Sequence, residues 1–113
     1  MSDLQAALSV FLDAYLARPE LVSRQRGWSP TIALRATDTP SVVTVRFVDG
    51  RPQVERVEES PTLVVSSDER MLCDVLRLVR SPNEPYLFGE LTVQGREADF
   101  VRLDYIATEL CPS

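Results

Sequence analysis

Residues 2–17 carry apolar side chains at three- and four-residue spacing, which places them along one stripe of a helix. Ser2 and Gln5 have the spacing of a capping box at the start of this helix. Pro19 ends it and is a residue typical of the first position of a helix. The pattern therefore predicts an amphipathic helix followed by a short second one.

Apolar and polar positions alternate over residues 31–37 and 41–48, and this period of two predicts β-strands. Asp49-Gly50 follows the second strand, and such a pair supplies the positive φ angles of a two-residue hairpin turn. The hairpin predicts a third strand over residues 51–58, and a fourth is predicted over residues 62–66. The hairpin register is expected to pair Arg46 with Gln53, and Val45 with Val54.

Helical spacing returns over residues 67–80, with Ser66 and Glu69 as a second capping box. Cys73 is expected on the polar side of this helix, and Leu78 and Val79 on its apolar face. Residues 81–85 contain two prolines and predict a loop.

A fifth strand is predicted over residues 91–94, and a closing helix over residues 98–110. The apolar residues of the closing helix spread around most of its circumference, which is typical of a helix that is buried on several sides or covers something apolar. The order of elements indicates one α+β domain over residues 1–113. Its sheet is expected to be mainly antiparallel, with the helices packed on one face.

The composition restricts the classes of protein that fit this pattern. Of the 113 residues, 44% are hydrophobic and 26% charged, a balance that is typical of a globular domain. The net charge of −5 disfavours nucleic-acid binding. No apolar run approaches the roughly 18 residues of a membrane span. The chain has only two cysteines and no basic residues near its N-terminus of the kind that a signal peptide carries. We therefore expect a cytoplasmic protein with reduced thiols and without stable membrane insertion.

Chemistry-bearing motifs are missing from the chain. Without histidine there is neither an ordinary catalytic triad nor a histidine-based zinc site. The isolated glycines form no phosphate-binding loop. Of the adjacent carboxylates, Glu58-Glu59 lies at the end of a strand, where neighbouring side chains point to opposite faces. Asp68-Glu69 lies at the start of a helix, where the helix dipole stabilises acidic side chains. We therefore predict no catalytic residue, no metal and no cofactor, and expect that the protein is not an enzyme.

Three other features have both a structural and a functional interpretation. Arg18, Arg24 and Arg26 form either a solvated helix end or a contact for an anionic lipid head group, and the solvated end is favoured. Trp28 and the segment Tyr86-Leu87-Phe88 are either core plugs or walls of an apolar cavity. The sequence leaves these last two alternatives equally open.

From Thr62 onward the chain combines a strand, an amphipathic helix, a loop, a glycine-bounded strand and a closing helix. The glycine-bounded strand reads Phe88-Gly89-Glu90-Leu91-Thr92-Val93-Gln94-Gly95. The N-terminal helix and the Asp49-Gly50 hairpin precede it in the expected order. This arrangement resembles the sterol carrier protein 2 family, and in particular its small, single-domain bacterial members.

The resemblance implies a five-stranded, mainly antiparallel sheet and an apolar tunnel between sheet and helices that binds sterols, fatty acids or acyl-CoA. Bacterial relatives are free proteins, accessory factors in quinone or lipid pathways, or domains of enzymes such as alkyl sulfatases. By position, the resemblance assigns the ligand-binding walls to Met71, Val75, Leu76, Val79, Phe88, Leu91, Val93, Phe100, Val101, Leu103 and Tyr105.

Three hypotheses about function follow. The leading one is a non-catalytic binding or carrier domain for an apolar small molecule or lipid. The alternative is a protein-interaction or dimerisation module, for example a homodimer, that serves as an accessory factor to a lipid- or quinone-pathway enzyme. The third is an enzyme with a buried acid that faces an apolar pocket, for which the sequence offers no convincing residue.

Overall fold

A computed structural model describes residues 3–53 and 60–111 of the chain. In this part the helices are α1 (Asp3–Leu16), α2 (Pro19–Ser23), α3 (Glu69–Leu76), α4 (Asn83–Leu87) and α5 (Glu97–Leu110). The strands are β1 (Thr31–Ala36), β2 (Val42–Val48), β3 (Arg51–Gln53), β4 (Leu63–Ser67) and β5 (Thr92–Gly95). No helix among these residues is long and apolar enough to cross a membrane.

The five strands form one sheet in the order β3-β2-β1-β4-β5. Its α+β class agrees with the prediction, but the expected mainly antiparallel arrangement is wrong, because β4 runs parallel to β1 and the sheet is mixed. Parallel neighbours need a long connection, and here the chain between them contains the β2–β3 hairpin. Alternation along a strand carries no information about its direction or its neighbour, so the pattern did not reveal this pairing.

The hairpin turn has the predicted conformation. Asp49 and Gly50 both have positive φ angles, of 52° and 80°, and Arg46 lies opposite Gln53 as expected. A Cβ atom on Gly50 would lie 2.7 Å from the carbonyl oxygen of Gln25, so the close approach of this loop also requires glycine. The predicted Val45–Val54 pair and the part of the third strand beyond Gln53 lie outside the described residues.

The start of α3 differs from the prediction. Its N-cap is Asp68, whose carboxylate accepts a hydrogen bond from the backbone N–H of Met71 at 2.7 Å. Ser66, the predicted cap, lies in β4 instead. A second carboxylate, that of Asp38, accepts a bond from the N–H of Glu69 at 2.9 Å. The loop after β1 therefore also satisfies this helix end.

The end and the buried face of α3 differ as well. The helix stops at Leu76, and Leu78 has a φ angle of 63°, so Val79 is exposed rather than part of an apolar face. Cys73, expected on the polar side, is buried, because α1 packs along α3 and covers a wider face than the apolar stripe indicated. The segment predicted as a loop over 81–85 instead leads into α4.

The core lies between one face of the sheet and the helices α1, α3 and α5. As the alternation in β2 predicted, Val45 and Phe47 point into it, whereas Arg46 and Val48 on the other face are exposed. Phe47 contacts two further aromatic rings, those of Tyr15 and Trp28, at centroid distances of 5.9 and 4.8 Å. This aromatic cluster fixes α1 and the loop before β1 against the sheet.

Candidate functional site

An apolar cavity of about 80 Å³ lies between the sheet and the helices α1, α3 and α5. The wall from α1 consists of Leu8, Phe11 and Leu12. The sheet contributes Ile32, Leu34, Val45, Phe47, Val65 and Val93. The remaining wall residues, from α3, α5 and the connections beside them, are Leu72, Val75, Leu76, Pro82, Leu91, Phe100, Leu103, Asp104 and Ala107.

The structure brings part of the predicted binding set together around this cavity. The members in its wall are Val75, Leu76, Leu91, Val93, Phe100 and Leu103. The others lie elsewhere: Met71 is buried away from the cavity, and Val79, Phe88, Val101 and Tyr105 are exposed. Val79 follows the end of α3, and Val101 and Tyr105 lie on the exposed side of α5, so none of the three reaches the cavity.

The wall contributed by α1 and the sheet was largely absent from the predicted set. Phe11 and Leu34, for example, belong to apolar stripes that the sequence already predicted to be buried. Apolar residues have the same spacing along a helix or strand whether they pack against a cavity or against a filled core. Periodicity therefore identified these positions as buried but gave no sign of the cavity beside them.

Asp104 is the one ionisable side chain that the described residues place in the cavity wall. It lies on α5, one position from Leu103 and three from Ala107, both of which also face the cavity. Its side chain is partly exposed, and within the described part of the chain it makes no hydrogen bond or ion pair. Sequence reasoning missed it because a single acid in a mixed helix has no distinguishing pattern.

The cavity is small in this conformation. A volume of about 80 Å³ is well below the roughly 300–1,000 Å³ of a typical ligand pocket. The wall residues on α1 and on β1, β2 and β4 are buried, whereas Phe100, Leu103 and Pro82 are partly exposed. The cavity therefore approaches the surface on the side of α5 and the segment before α4. Of the described residues of α5, only Asp99, Ile106 and Ala107 are buried, so this helix is the least buried of the three helices around the cavity.

Trp28 occupies a core position rather than the wall of the cavity. Its ring is buried against Phe47, and its Nε1–H donates to Oδ1 of Asp99 at 3.1 Å. The second carboxylate oxygen, Oδ2 of Asp99, is buried without a hydrogen-bond partner among the described residues. The contact with Trp28 attaches the first turn of α5 to the loop before β1.

The segment Tyr86-Leu87-Phe88 takes neither of its two predicted roles. It forms the end of α4, where Leu87 and Phe88 are 78% and 72% exposed. Tyr86 places its ring 5.0 Å from that of Phe100, which does line the cavity. The segment thus contacts the cavity wall from outside and leaves two large apolar side chains in solvent.

Two of the three arginines near α2, Arg18 and Arg24, contact residues of α5. Arg18 lies 3.8 Å from the carboxylate of Glu109, and the Nη1 of Arg24 donates to the hydroxyl of Tyr105 at 2.8 Å. Arg102 donates to the side-chain oxygen of the buried Gln25 at 3.2 Å. These contacts fasten the second half of α5 to α2 and account for the position of Tyr105 away from the cavity.

The remaining candidate chemistry is structural. Burial raises the pKa of the Cys73 thiol above its usual value, with the Arg77 guanidinium acting in the opposite direction, so the thiol stays protonated near neutral pH. Asp68 of the carboxylate pair Asp68-Glu69 caps α3. The other pair, Glu58-Glu59, lies outside the described residues. Within residues 3–53 and 60–111, no group of carboxylates and cysteines has the geometry to hold a metal ion.

No protein-family model matches the chain. No curated protein matches it either. Among solved structures, the chain is similar to a ubiquinone synthesis protein, UbiJ-SCP2, with a TM-score of 0.69 at 16% identity over 95% of this chain and 94% of that one. The sterol carrier protein domain 2 of Helicoverpa armigera aligns with a TM-score of 0.67 at 13% identity, over 96% and 88% of the two chains.

The fold is that of the sterol carrier protein 2 domains. The palmitated SCP2L2 protein of Aedes aegypti has the same fold, with a TM-score of 0.62 at 13% identity over 87% of this chain and 91% of that one. At such identities the likeness concerns the fold. The family resemblance predicted from the motifs is thus confirmed at the level of the sterol carrier protein 2 architecture.

Proposed function

We propose that the chain is a non-catalytic binding or carrier domain for an apolar small molecule, held between the sheet and the helices. The observation that carries the proposal is the cavity, whose wall is apolar apart from Asp104. It lies in a fold shared with sterol carrier protein 2 domains, one of which is palmitated. We further propose that residues 1–113 form one such domain, and that it works in the cytoplasm.

The driving force for binding would be the removal of apolar ligand surface from water, worth about 25 cal/mol per Å² before the costs of ordering are subtracted. A wall with few hydrogen-bonding groups gives little orientation to a ligand but accepts many shapes. Affinity in such a site increases with the length of the apolar part of the ligand. The protein would therefore take up a class of molecules rather than one compound.

Entry of a ligand would require the wall to part on the side of α5. In this conformation the cavity has room for only a few methylene groups, so a longer chain has to displace Phe100 or Leu103 outward. Both side chains belong to α5, which is thinly packed and has no side-chain cap at its start. We propose that α5 moves relative to α4, with a change in the contact between the rings of Tyr86 and Phe100, while α1, α3 and the sheet stay in place.

Ligand binding can be tested with a fluorescent apolar probe such as 1-aminoanthracene and by native mass spectrometry of gently purified protein. We expect saturable, micromolar binding of the probe and its displacement by alkyl compounds. Val93→Phe fills the cavity from the sheet side and Leu103→Trp fills it from α5, and each should weaken probe binding at least about tenfold while the circular dichroism spectrum stays native.

The matched control is Gln94→Phe. Gln94 follows Val93 in β5, is exposed and points to the opposite face of the sheet, so the same ring is added without entering the cavity. It should leave probe affinity unchanged. Absence of probe binding by the unmodified protein, or equal weakening by Val93→Phe and Gln94→Phe, would contradict a carrier function.

A second candidate function is a protein-interaction module that serves a lipid- or quinone-pathway enzyme. Its support is the exposure of three apolar side chains on one stretch of the chain, Val79, Leu87 and Phe88, at 75%, 78% and 72%. One structural neighbour is a ubiquinone synthesis protein, which is consistent with such a role. Light scattering after size-exclusion chromatography distinguishes the two: a ligand-free stable dimer that Leu87→Glu dissociates supports this function, and a ligand-loaded monomer opposes it.

A further inference from the structure

We propose that the groove between α2 and α5 is a second binding site, which binds a phosphate ester with a small apolar group. The groove is open and has a volume of about 740 Å³; its lining residues are Arg24, Gln25, Glu97, Ala98, Val101, Arg102 and Tyr105. None of these residues lines the apolar cavity. The proposal is therefore independent of the carrier function, and either can fail without the other.

Contacts with other lining residues place both guanidinium groups at the groove. The Nη1 of Arg24 donates to the hydroxyl of Tyr105 at 2.8 Å. The Nη1 of Arg102 donates to Oε1 of Gln25 at 3.2 Å and to the carbonyl oxygen of Arg24 at 3.4 Å. The two cationic groups thus lie on the same stretch of the groove, where the C-terminal end of α2 meets α5.

Buried neighbours fix the position of Arg102. Gln25 is only 2% exposed, and its Nε2 donates to the carbonyl oxygen of Leu21 at 3.1 Å while its Oε1 accepts from Arg102. The guanidinium carbon of Arg102 lies 6.0 Å from the centre of the buried Trp28 ring. A guanidinium that is already held in place loses little conformational freedom when an anion binds.

Neither guanidinium forms an ion pair with a carboxylate of the described residues. Arg18 pairs with glutamates, whereas the acceptors for Arg24 and Arg102 are a hydroxyl, an amide oxygen and a backbone carbonyl. Glu97 also lines the groove, but it lies in the first turn of α5, about 12 Å along the helix axis from Tyr105. In a chain with a net charge of −5, one end of this groove therefore presents two positive charges without an acidic partner among the described residues.

A phosphate group matches these donors. Near neutral pH a phosphate monoester carries nearly two negative charges and three acceptor oxygens, so it can accept from both guanidinium groups at once. The hydroxyl of Tyr105 accepts from Arg24 and keeps its own proton for donation. A carboxylate, with a single charge, compensates only one of the two arginines. Ala98 and Val101, both exposed, provide an apolar surface for the organic group of the ester.

Isothermal titration calorimetry with phenyl phosphate, at about pH 8 and low salt, tests the proposal. We expect saturable binding with a dissociation constant below about 1 mM, and weaker binding at about 500 mM salt because the salt screens the charges. Inorganic phosphate should bind about tenfold more weakly than phenyl phosphate, because it has no apolar group to bury. Equal affinity for the two would contradict the apolar part of the site.

Two variants of the groove and a matched control locate the binding. Arg24→Gln removes one guanidinium at an exposed position and should weaken the binding of phenyl phosphate at least about tenfold. Val101→Glu adds a negative charge while both arginines remain, and should have a similar effect. Arg26→Gln makes the same change in net charge as Arg24→Gln at an exposed position outside the groove, and should change the affinity by less than about twofold. Circular dichroism checks that each variant is folded.

Sedimentation with phosphatidylcholine vesicles that contain phosphatidic acid distinguishes the two sources of such a phosphate group. Co-sedimentation that Arg24→Gln abolishes supports a lipid head group as the source, and binding of phenyl phosphate without co-sedimentation supports a soluble phosphate ester. The absence of saturable heat with phenyl phosphate, or equal weakening by Arg24→Gln and Arg26→Gln, overturns the proposal.

Discussion

The hydroxyl of Tyr15 offers a test of how a single buried hydrogen bond holds the hairpin to the helical layer. Tyr15 is fully buried at the end of α1, and its hydroxyl donates to the carbonyl oxygen of Gly50 at 2.6 Å. Its ring meets that of Phe47 edge to face. Tyr15→Phe keeps the ring and its packing, so it removes the hydrogen bond and little else.

The expected cost follows from the burial of both partners. Deletion of the hydroxyl removes a net contribution of about 1 kcal/mol and leaves the Gly50 carbonyl without this partner, at a cost of about 1–3 kcal/mol. We expect Tyr15→Phe to lower the free energy of unfolding by about 2 kcal/mol. For a domain of this size that corresponds to a decrease in melting temperature of roughly 8 °C.

Urea unfolding followed by the fluorescence of the buried Trp28 measures this free energy, with an unchanged denaturant slope as the check on two-state behaviour. Tyr105→Phe is the matched control. It deletes the same atom from a 40% exposed side chain, where water replaces the lost hydroxyl as the acceptor for Arg24, and should cost less than about 0.5 kcal/mol. Equal losses in the two variants would refute the assignment of the stabilisation to burial.

The same residue predicts a loss of stability in alkali. Burial raises the pKa of Tyr15 above its usual value of 10.0, against the lowering effect of Arg102 and Arg51. The folded protein therefore keeps this proton when the unfolded chain has already lost it. The stability that the buried, protonated Tyr15 contributes is fully present below about pH 10 and declines as the pH rises through the pKa of Tyr15 in the folded protein. The difference in stability between the unmodified protein and Tyr15→Phe should accordingly shrink above about pH 10, and a difference that stays constant there contradicts the pKa shift.

Three further predictions concern local features. Asp68→Ala removes the N-cap of α3 and should lower the free energy of unfolding by about 1 kcal/mol, measured by urea titration. Gly95→Ala should prevent stable folding or lower the melting temperature severely, because the new Cβ would overlap the carbonyl oxygen of Thr62. At Gly89 no atom lies within 4 Å of a new Cβ, so Gly89→Ala has only the cost of a positive φ. Cys73, with its buried thiol and raised pKa, should react with a thiol reagent only at the rate of unfolding, and rapid reaction in the native protein would contradict its burial.

The sequence predicted most of the secondary structure because the signals are local. The stripe of α1, the alternation in β2 and the Asp49-Gly50 turn each depend on residues close together in the chain, and the structure has all three. The cap of α3 was assigned to Ser66 instead of Asp68, because two nearby side chains have suitable chemistry and only the backbone path decides which one reaches the helix. The α4 helix was missed because Pro82 and Pro85 indicate a loop.

The sequence by itself determined most of the helices and strands, the hairpin register and the family likeness, since all of these follow from the order and spacing of residues. Only the tertiary structure decided that β4 lies parallel to β1, that Cys73 is covered by α1, and that a void remains beside Phe11 and Leu34. The direction of a strand and the presence of a cavity depend on how distant surfaces meet, and a void leaves no mark on the spacing of the residues around it. Asp104 shows the same limit, because the spacing of residues in α5 does not reveal that this acid lies in an otherwise apolar wall.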